Sequence, residues 1–544
     1  MRARQPVSTV FGLGLAVGVP VLFLLVFFLV PLLGMLWIGL APNGQVDLVG
    51  FVDVLGRPRT HRIIGLTLAQ AATATVIALL AGLPVAAVLH RRRFRGAGVL
   101  RALVFVPFVL PTVVVGVAFR TLFRPSGWLG WLGLDGTFAA IIAALVFFNI
   151  AVVVRTVGVR WESLDPRQAE AAASLGASPW RVWWTVTLPA LAPAVWSAAA
   201  VVFLFCATAF GTVLVLGGLQ FGTIETEIYT LTMDYLDLPA AAALSLLQLV
   251  LVVALLTVSA RLRQRGERGV TTRAAAPKPR LGRGDAGLLA WSLLVVAALM
   301  LPLAALVVRS LETPHGWGLD YYVAFLGGSS AASAVLLSLS TAAQAAAIAL
   351  VLGLGLALAL SRPAVTARQL RWRDRLDRLV MLPLGVSAVT VGLGMLITLN
   401  RPPLDMRTTG ILIPISQAIV ALPLVLRVLL PVLRGIDPKL REAAASLGAS
   451  PARVLLDVDL RLAARPIAAA TVFALAVSLG EFGATSFLAR PTDPTLPVLI
   501  YRLITRPGAE NLGMALAGSV ILAMLVLALT GLVERLRAGV AGAF

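Results

Sequence analysis

The string EAAASLGAS occupies residues 170–178 and again 442–450, and 442 lies 272 residues after 170, half of the 544-residue chain. The same offset pairs Pro111 with Pro383, Arg155 with Arg427, and Asp165-Pro166 with Asp437-Pro438. It also pairs Arg181 with Arg453, Leu188 with Leu460, Phe210-Gly211 with Phe482-Gly483, and Ile228-Tyr229 with Ile500-Tyr501. One register held over so long a stretch means two tandem copies of one unit. Whatever the first half folds into, the second must fold into as well.

The solvent of that fold follows from composition. The chain is 59% hydrophobic and only 13% charged, where soluble domains are about half apolar and about a quarter charged. Apolar segments long enough to cross a bilayer fall near 11–40, 63–90, 100–122, 137–155, 191–218 and 241–260. A second set falls near 288–308, 335–361, 379–399, 411–426, 465–489 and 511–533, the tenth being short and needing flanking residues to reach across. The first run is too long for a signal-peptide core and reads as a retained span. An all-α integral membrane protein of twelve spans is predicted, six in each half. Six is even, so both halves insert the same way round, which makes a parallel repeat with a pseudo-twofold axis along the membrane normal.

Lys and Arg orient the chain. With the N-terminus cytoplasmic, 34 of the 45 basic residues fall in inside segments and 11 outside. That excess predicts both termini in the cytoplasm. It also accounts for the net charge of +20, so nucleic acid is not an expected partner. The stretch 261–287, RLRQRGERGVTTRAAAPKPRLGRGDAG, reads as a flexible cytoplasmic linker. It separates a first domain, 1–260, from a second, 288–544. Membrane lipids are the expected surroundings, and contact of this basic stretch with anionic lipid is a further option.

The duplicated loop, 165–189 and 437–461, can be read locally. Asp165 suits an N-cap and Pro166 the first helical position. Gly176 suits the left-handed residue that ends a helix, and Ser178 with Pro179 starts another that runs on through VWWTVTL. Asp437, Pro438, Gly448, Ser450 and Pro451 repeat the pattern. Each half therefore holds a short helical hairpin at the inner surface. It could simply cap the bundle; its presence in both diverged halves favours a docking element.

The segment EAAASLGASPWRVWWTVTLP resembles the EAA loop of bacterial ABC importer permeases, through Glu170, Ala171, Ala172, Gly176, Val186, Leu188 and Pro189. The second copy has Glu442, Ala443, Ala444, Gly448, Val458 and Leu460, but Arg461 in place of the proline, which leaves its exit geometry open. The resemblance implies two fused permease domains with a type I ABC importer-like fold. It implies that each loop is a coupling helix seated on a cytoplasmic ABC ATPase subunit, two copies in all. Among fused permeases the chain resembles the thiamine type, then the ferric-iron type, through RRRFRG at 91–96, SGWLGWLG at 126–133 and FFNIAVVVR at 147–155. GTIETEIY at 222–229, DYLDLPAAAALSLLQ at 234–248 and SLGEFG at 478–483 carry the rest. The resemblance further implies a bacterial inner-membrane location and an external binding protein, periplasmic or lipid-anchored.

No G-x-x-x-x-G-K-[ST] loop occurs, so ATP and Mg are expected on the partner ATPase. The single Cys206 lies in an apolar run, and His61, His90 and His315 are scattered. No catalytic, cofactor or metal site is expected; the chain reads as a non-catalytic translocation subunit. Polar groups at membrane depth are pathway candidates: Asn149, Gln248 and above all Glu481, whose repeat counterpart is Ala209. Glu481 could attract a cation such as a thiazolium, pair with an arginine, or sit solvated near the outer interface. An acidic outer loop with Glu225, Glu227, Tyr229, Asp234 and Asp237 could meet the binding protein, funnel a cation, or merely be solvated. Pro107, Pro111 and Pro383 mark kinks within spans.

The rival class is an ion-gradient-driven secondary transporter, which leaves the paired loop unexplained. An ATPase subunit should co-purify with the intact protein, and bulky residues at Gly176 and Gly448 together should weaken that association. Transport on an ion gradient with no ATPase present would favour the rival.

Overall fold

A computed structural model describes residues 7–41, 44–218, 220–266, 278–362, 366–400, 405–406 and 409–541. Arg2, Arg4 and the middle of the connecting stretch, 267–277, lie outside the described residues. Ten helices are long and apolar enough to cross a membrane, and two bent pairs bring the number to twelve. In the first half these are Gly14–Leu40, Pro58–Arg91, the pair Ala97–Val109 and Thr112–Phe123, Phe138–Glu162, Pro179–Ala207 and Leu238–Thr257. In the second they are Ala286–Leu311, Ser330–Ser361, the pair Ala367–Gly385 and Ala388–Thr398, Leu412–Gly435, Pro451–Gly480 and Ala509–Leu536. Among the described residues the only strands are the two-residue pair Glu312–Thr313 and Gly316–Trp317.

Five spans depart from the sequence reading. The third and ninth, where prolines predicted kinks, bend by 104° and 95°. Pro111 has no N–H to donate and forces Leu110 before it into extended backbone. Its counterpart Pro383 sits in a 3₁₀ turn, Leu382–Gly385, that ends in extended Val386. The fifth and eleventh spans stop early, at Ala207 and Gly480. Each then breaks and restarts as a short helix, Gly211–Leu216 or Thr485–Leu488. The tenth span is not short. Its helix passes Arg427 and continues through LLPVL to Gly435, since one arginine does not end a helix.

The packed units are not the sequence halves. Leu24 and Phe28 of the first span are buried in the core built by second-half spans. Val295, Val296 and Leu299 of the seventh span are buried in the core of the first-half bundle. Each half thus lends its first span to the other. Lipid tails are as apolar as leucine, so this exchange is held by close packing rather than by escape from water. Glycines allow the approach: a Cβ on Gly34 would collide with Thr398, and one on Gly394 with the Pro31 carbonyl. Trp291 of the seventh span donates its indole N–H to the Ala81 carbonyl of the second, at 3.2 Å.

The end of the connecting stretch, from residue 278, is docked on the first half. Arg93 and Arg280 form a parallel bridge, with the Arg93 N–H on the Pro279 carbonyl at 2.9 Å. Lys278 pairs with Glu162 at 2.5 Å, and His90 shares that carboxylate at 2.9 Å. Asp285 pairs with Arg92 at 2.9 Å and accepts the Gly282 N–H at 2.9 Å. Three basic residues, His90, Arg92 and Lys278, thus find acidic partners that a hydropathy profile does not reveal.

Burial pushes the Asp285 carboxyl upward, but the Gly282 N–H and the Arg92 guanidinium together hold it below the usual aspartate range. A carboxyl with a lowered folded pKa stabilises fully above its unfolded pKa and loses that contribution as pH falls through the folded one. Asp285→Asn is therefore expected to lower the thermal midpoint at neutral pH, the gap to wild type closing as pH drops through the aspartate range. Equal midpoints at neutral pH would show that the docking adds nothing to stability.

Candidate substrate pathway between the halves

The two hairpins form as their local chemistry dictates. Asp165 accepts the Arg167 N–H ahead of the helix Pro166–Ser174, and Asp437 accepts the Lys439 N–H ahead of Pro438–Ser446. Gly176 and Gly448 follow with φ of 84° and 81°, the left-handed region that a Cβ disfavours. Ser178 and Ser450 then accept the N–H groups of Arg181 and Arg453. Glu170 and Glu442 lie mid-helix, each offering its carbonyl to the serine four residues on. Leu175 and Leu447, at the same repeat position, are each 89% exposed at the hairpin tips. Arg461 in place of Pro189 does not change the exit: both copies leave through a π-helical turn, Trp183–Thr187 and Leu455–Leu460, and enter a full span. Asp459, fully buried in the second copy, is held by Arg362 at 2.6 Å and Arg441 at 2.7 Å.

Some 20 residues further along, about 30 Å at 1.5 Å per residue, the two broken spans meet. Phe210 stacks on Phe482 with centroids 5.4 Å apart and planes 19° apart. Tyr229 meets Tyr501 edge-on at 6.4 Å. Phe210 packs on Tyr229 at 5.5 Å, and Phe482 on Tyr501 at 5.6 Å. A residue that touches its own repeat counterpart sits on the pseudo-twofold axis, so these four rings mark the axis. The glycines after the phenylalanines make this possible. A Cβ on Gly211 would meet Thr112 and the Phe482 ring, and one on Gly483 would meet Ala388.

Beside the rings lies a cavity of about 370 Å³ lined from both halves. Its walls are mostly apolar and include the rings of Phe108, Phe148, Phe205, Phe210 and Phe482, and its polar groups include Asn149, Thr208, Ser387 and Glu481. Glu481 is 8% exposed. Its carboxylate accepts the N–H groups of Ala484 at 2.8 Å and Thr485 at 3.0 Å, together with the Thr485 hydroxyl. It thus satisfies the donors freed by the break in the eleventh span, and among the described residues no arginine pairs with it, nor is it solvated at the outer interface, two of the roles open from sequence. Asn149 donates to the Leu145 carbonyl at 2.8 Å and to the Cys206 sulfur at 3.4 Å.

The acidic outer loop is mostly not a loop. Residues Ile224–Met233 form a helix, and Glu225 and Glu227 in it are buried. Arg59 binds Glu227 through two nitrogens, at 2.6 and 3.0 Å. Tyr229 belongs to the ring cluster, and only Asp234 of the five named residues is exposed, Asp237 being half-buried. The error came from charge: acidic residues near DYLD suggested water, whereas tertiary packing covers them. Gln248 does not line the cavity. It donates from Nε2 to Glu225 at 3.1 Å and to the Ala207 carbonyl at 3.3 Å. Sequence reading missed Ser387 and the ring cluster, although aromatic residues matching at offset 272 were a usable sign of the axis.

Aromatic pairs add about 1 kcal/mol beyond area burial. Phe210→Leu, Phe482→Leu and the double variant should therefore show a coupling of about 1 kcal/mol in a detergent-unfolding cycle. Strictly additive losses would mean that the rings only fill space.

A family described as "Binding-protein-dependent transport system inner membrane component" matches residues 74–268 and again 349–542. The thiamine transport system permease protein ThiP of Salmonella typhimurium is 31% identical over 488 residues, covering 86% of this chain and 87% of that protein. The sulfate transport system permease protein CysT of Escherichia coli is 32% identical over 242 residues, 43% of this chain and 86% of that protein. A crystal structure of a bacterial alginate ABC transporter, in complex with an alginate pentasaccharide-bound periplasmic protein, covers 46% of this chain and 93% of its own at 18% identity, with a TM-score of 0.40. The family match takes in each of the two broken spans and each hairpin, so the chain is an ABC importer permease, a member of the binding-protein-dependent transport system inner membrane components that carries the family's domain twice.

Proposed function

We propose that this permease carries an organic cation of the thiamine type from an external binding protein into the cytoplasm, driven by two ABC ATPase subunits. The observation that carries the reading is the cavity: five phenylalanine rings and the Glu481 carboxylate, with no cationic side chain acting on it among the described residues. Its volume falls within the usual range for small-molecule sites, about 300–1,000 Å³. A planar cation gains from ring faces and from a carboxylate together. Sulfate, the cargo named for one relative, would meet a negative charge there. Ferric iron, a hard ion that prefers several oxygen ligands, would meet mostly hydrocarbon. The long match to a thiamine permease supports the same choice.

Coupling is assigned to the hairpins. Leu175 and Leu447 offer one apolar knob each at equivalent positions, the kind of projection that fits a cleft on a partner. The excess of Lys and Arg at the hairpin end supports a cytoplasmic position for it and for both termini. ATP-driven approach of two ATPase subunits would then bias the halves between inward-facing and outward-facing arrangements.

The test is uptake into proteoliposomes holding the permease with its ATPase, supplied with the cognate binding protein. ATP-dependent accumulation of labelled thiamine is expected, with none of ferric iron or sulfate. Iron uptake without thiamine uptake would overturn the choice of cargo.

A further inference from the structure

Glu225 is fully buried at the contact between the halves. Its carboxylate accepts the Ser387 hydroxyl at 2.6 Å from the second half and Gln248 Nε2 at 3.1 Å. No Lys, Arg or His among the described residues acts on it. Glu227, two residues on, has the Arg59 guanidinium. Beside Glu225 the Gln248 Oε1 is buried with no hydrogen-bond partner. Two acceptors, one of them a carboxylate, thus lie together without positive charge. Burying such a group costs several kcal/mol unless it is paired.

The duplication supplies an internal control. At offset 272, Glu225 corresponds to Pro497, Gln248 to Val520 and Ser387 to Val115. The helix Leu496–Thr505 matches Ile224–Met233 in length, both following an N-cap threonine, Thr495 and Thr223. Val520 and Val115 are buried. The fold therefore builds all three positions from proline and valine in the other copy, and the polar trio is not needed for helix or packing. The same comparison holds for Glu481, since Ala209 stands at the equivalent break. Both extra carboxylates belong to one place: Glu481 lines the cavity, and Ser387, which lines it too, is the hydroxyl that binds Glu225.

We propose that Glu225 is a second cation-binding carboxylate of the translocation pathway, closed off in this conformation by Ser387 and Gln248 and opened when the halves shift. Glu481 faces the cavity while Glu225 is covered; movement of the second half withdraws the Ser387 hydroxyl and uncovers Glu225 and the Gln248 carbonyl together. The cargo would then find a carboxylate in each of the two arrangements. The cargo's charge rests on the reading above; the uncovering of Glu225 does not.

Two measurements on the permease–ATPase complex in lipid test this. The first is labelling with dicyclohexylcarbodiimide, read by mass spectrometry, in the nucleotide-free and the ATP–vanadate-trapped complex. Glu225 should be modified in one state and spared in the other, with protection by thiamine and by 1-methylpyridinium but not by neutral pyridine. Equal labelling in both states, no labelling in either, or protection by pyridine as well would overturn the proposal. The second is uptake by Glu225→Gln, which keeps a hydrogen-bonding group but not the charge. Its KM for thiamine should rise about tenfold, equivalent to about 1.4 kcal/mol, with a smaller change in maximal rate and partial return in Glu225→Asp. A wild-type KM in Glu225→Gln would overturn it. Wild-type complex that imports no thiamine defeats the cargo reading alone, because the labelling and the pyridinium protection still decide the role of Glu225.

Discussion

Every backbone N–H and C=O in a bilayer must find its partner inside the protein. The spans that run straight meet this requirement by themselves. The third, fifth, ninth and eleventh do not, because they bend or break at membrane depth. Their freed groups must be answered by neighbours, and those answers shape the centre of the molecule. Glu481 takes the donors at the start of Thr485–Leu488. Ser387 takes the Val389 N–H at the start of Ala388–Thr398. Thr212 donates its hydroxyl to the Thr112 carbonyl at 3.1 Å, tying the broken fifth span to the bent third. Non-helical backbone is tolerated here because it is enclosed by protein and borders a cavity.

The same economy links pathway to motion. The hairpins sit at the start of the very spans that break at the axis, so under the coupling proposed above a push at Leu175 or Leu447 would pass along one helix to Phe210 or Phe482. Exchange of the first spans would keep the halves engaged during such a shift. The docked segment 278–285 adds a polar fastening between the first-half loops and the seventh span.

The legible part of this structure was local or cumulative. Apolar length announced twelve spans, and Asp-Pro, Gly and Ser-Pro at fixed spacing announced the hairpins. The rest depends on distant partners. Pro111 and Pro383 signal a bend but not its angle, which packing decides. Hydropathy is the same whether the first span lies on its own bundle or on the other, so the exchange left no trace in the pattern. Glu225 and Glu227 read as part of an acidic outer loop because nothing near them in the chain discloses Arg59, Ser387 or Gln248. Glu481 stood out as an isolated acid in an apolar run, yet its hydrogen bonds to a helix start required the break to be seen.

The stacked phenylalanines carry a consequence for how such a protein changes over generations. In an assembly of two identical chains, a residue on the symmetry axis faces itself, and every substitution there arrives twice. Here Phe210 and Phe482 are encoded separately, so one ring can be altered while the other is kept. The centre of the molecule can be explored one side at a time, and charge can be added to one side of the cavity alone, as the contrast between Glu481 and Ala209 illustrates.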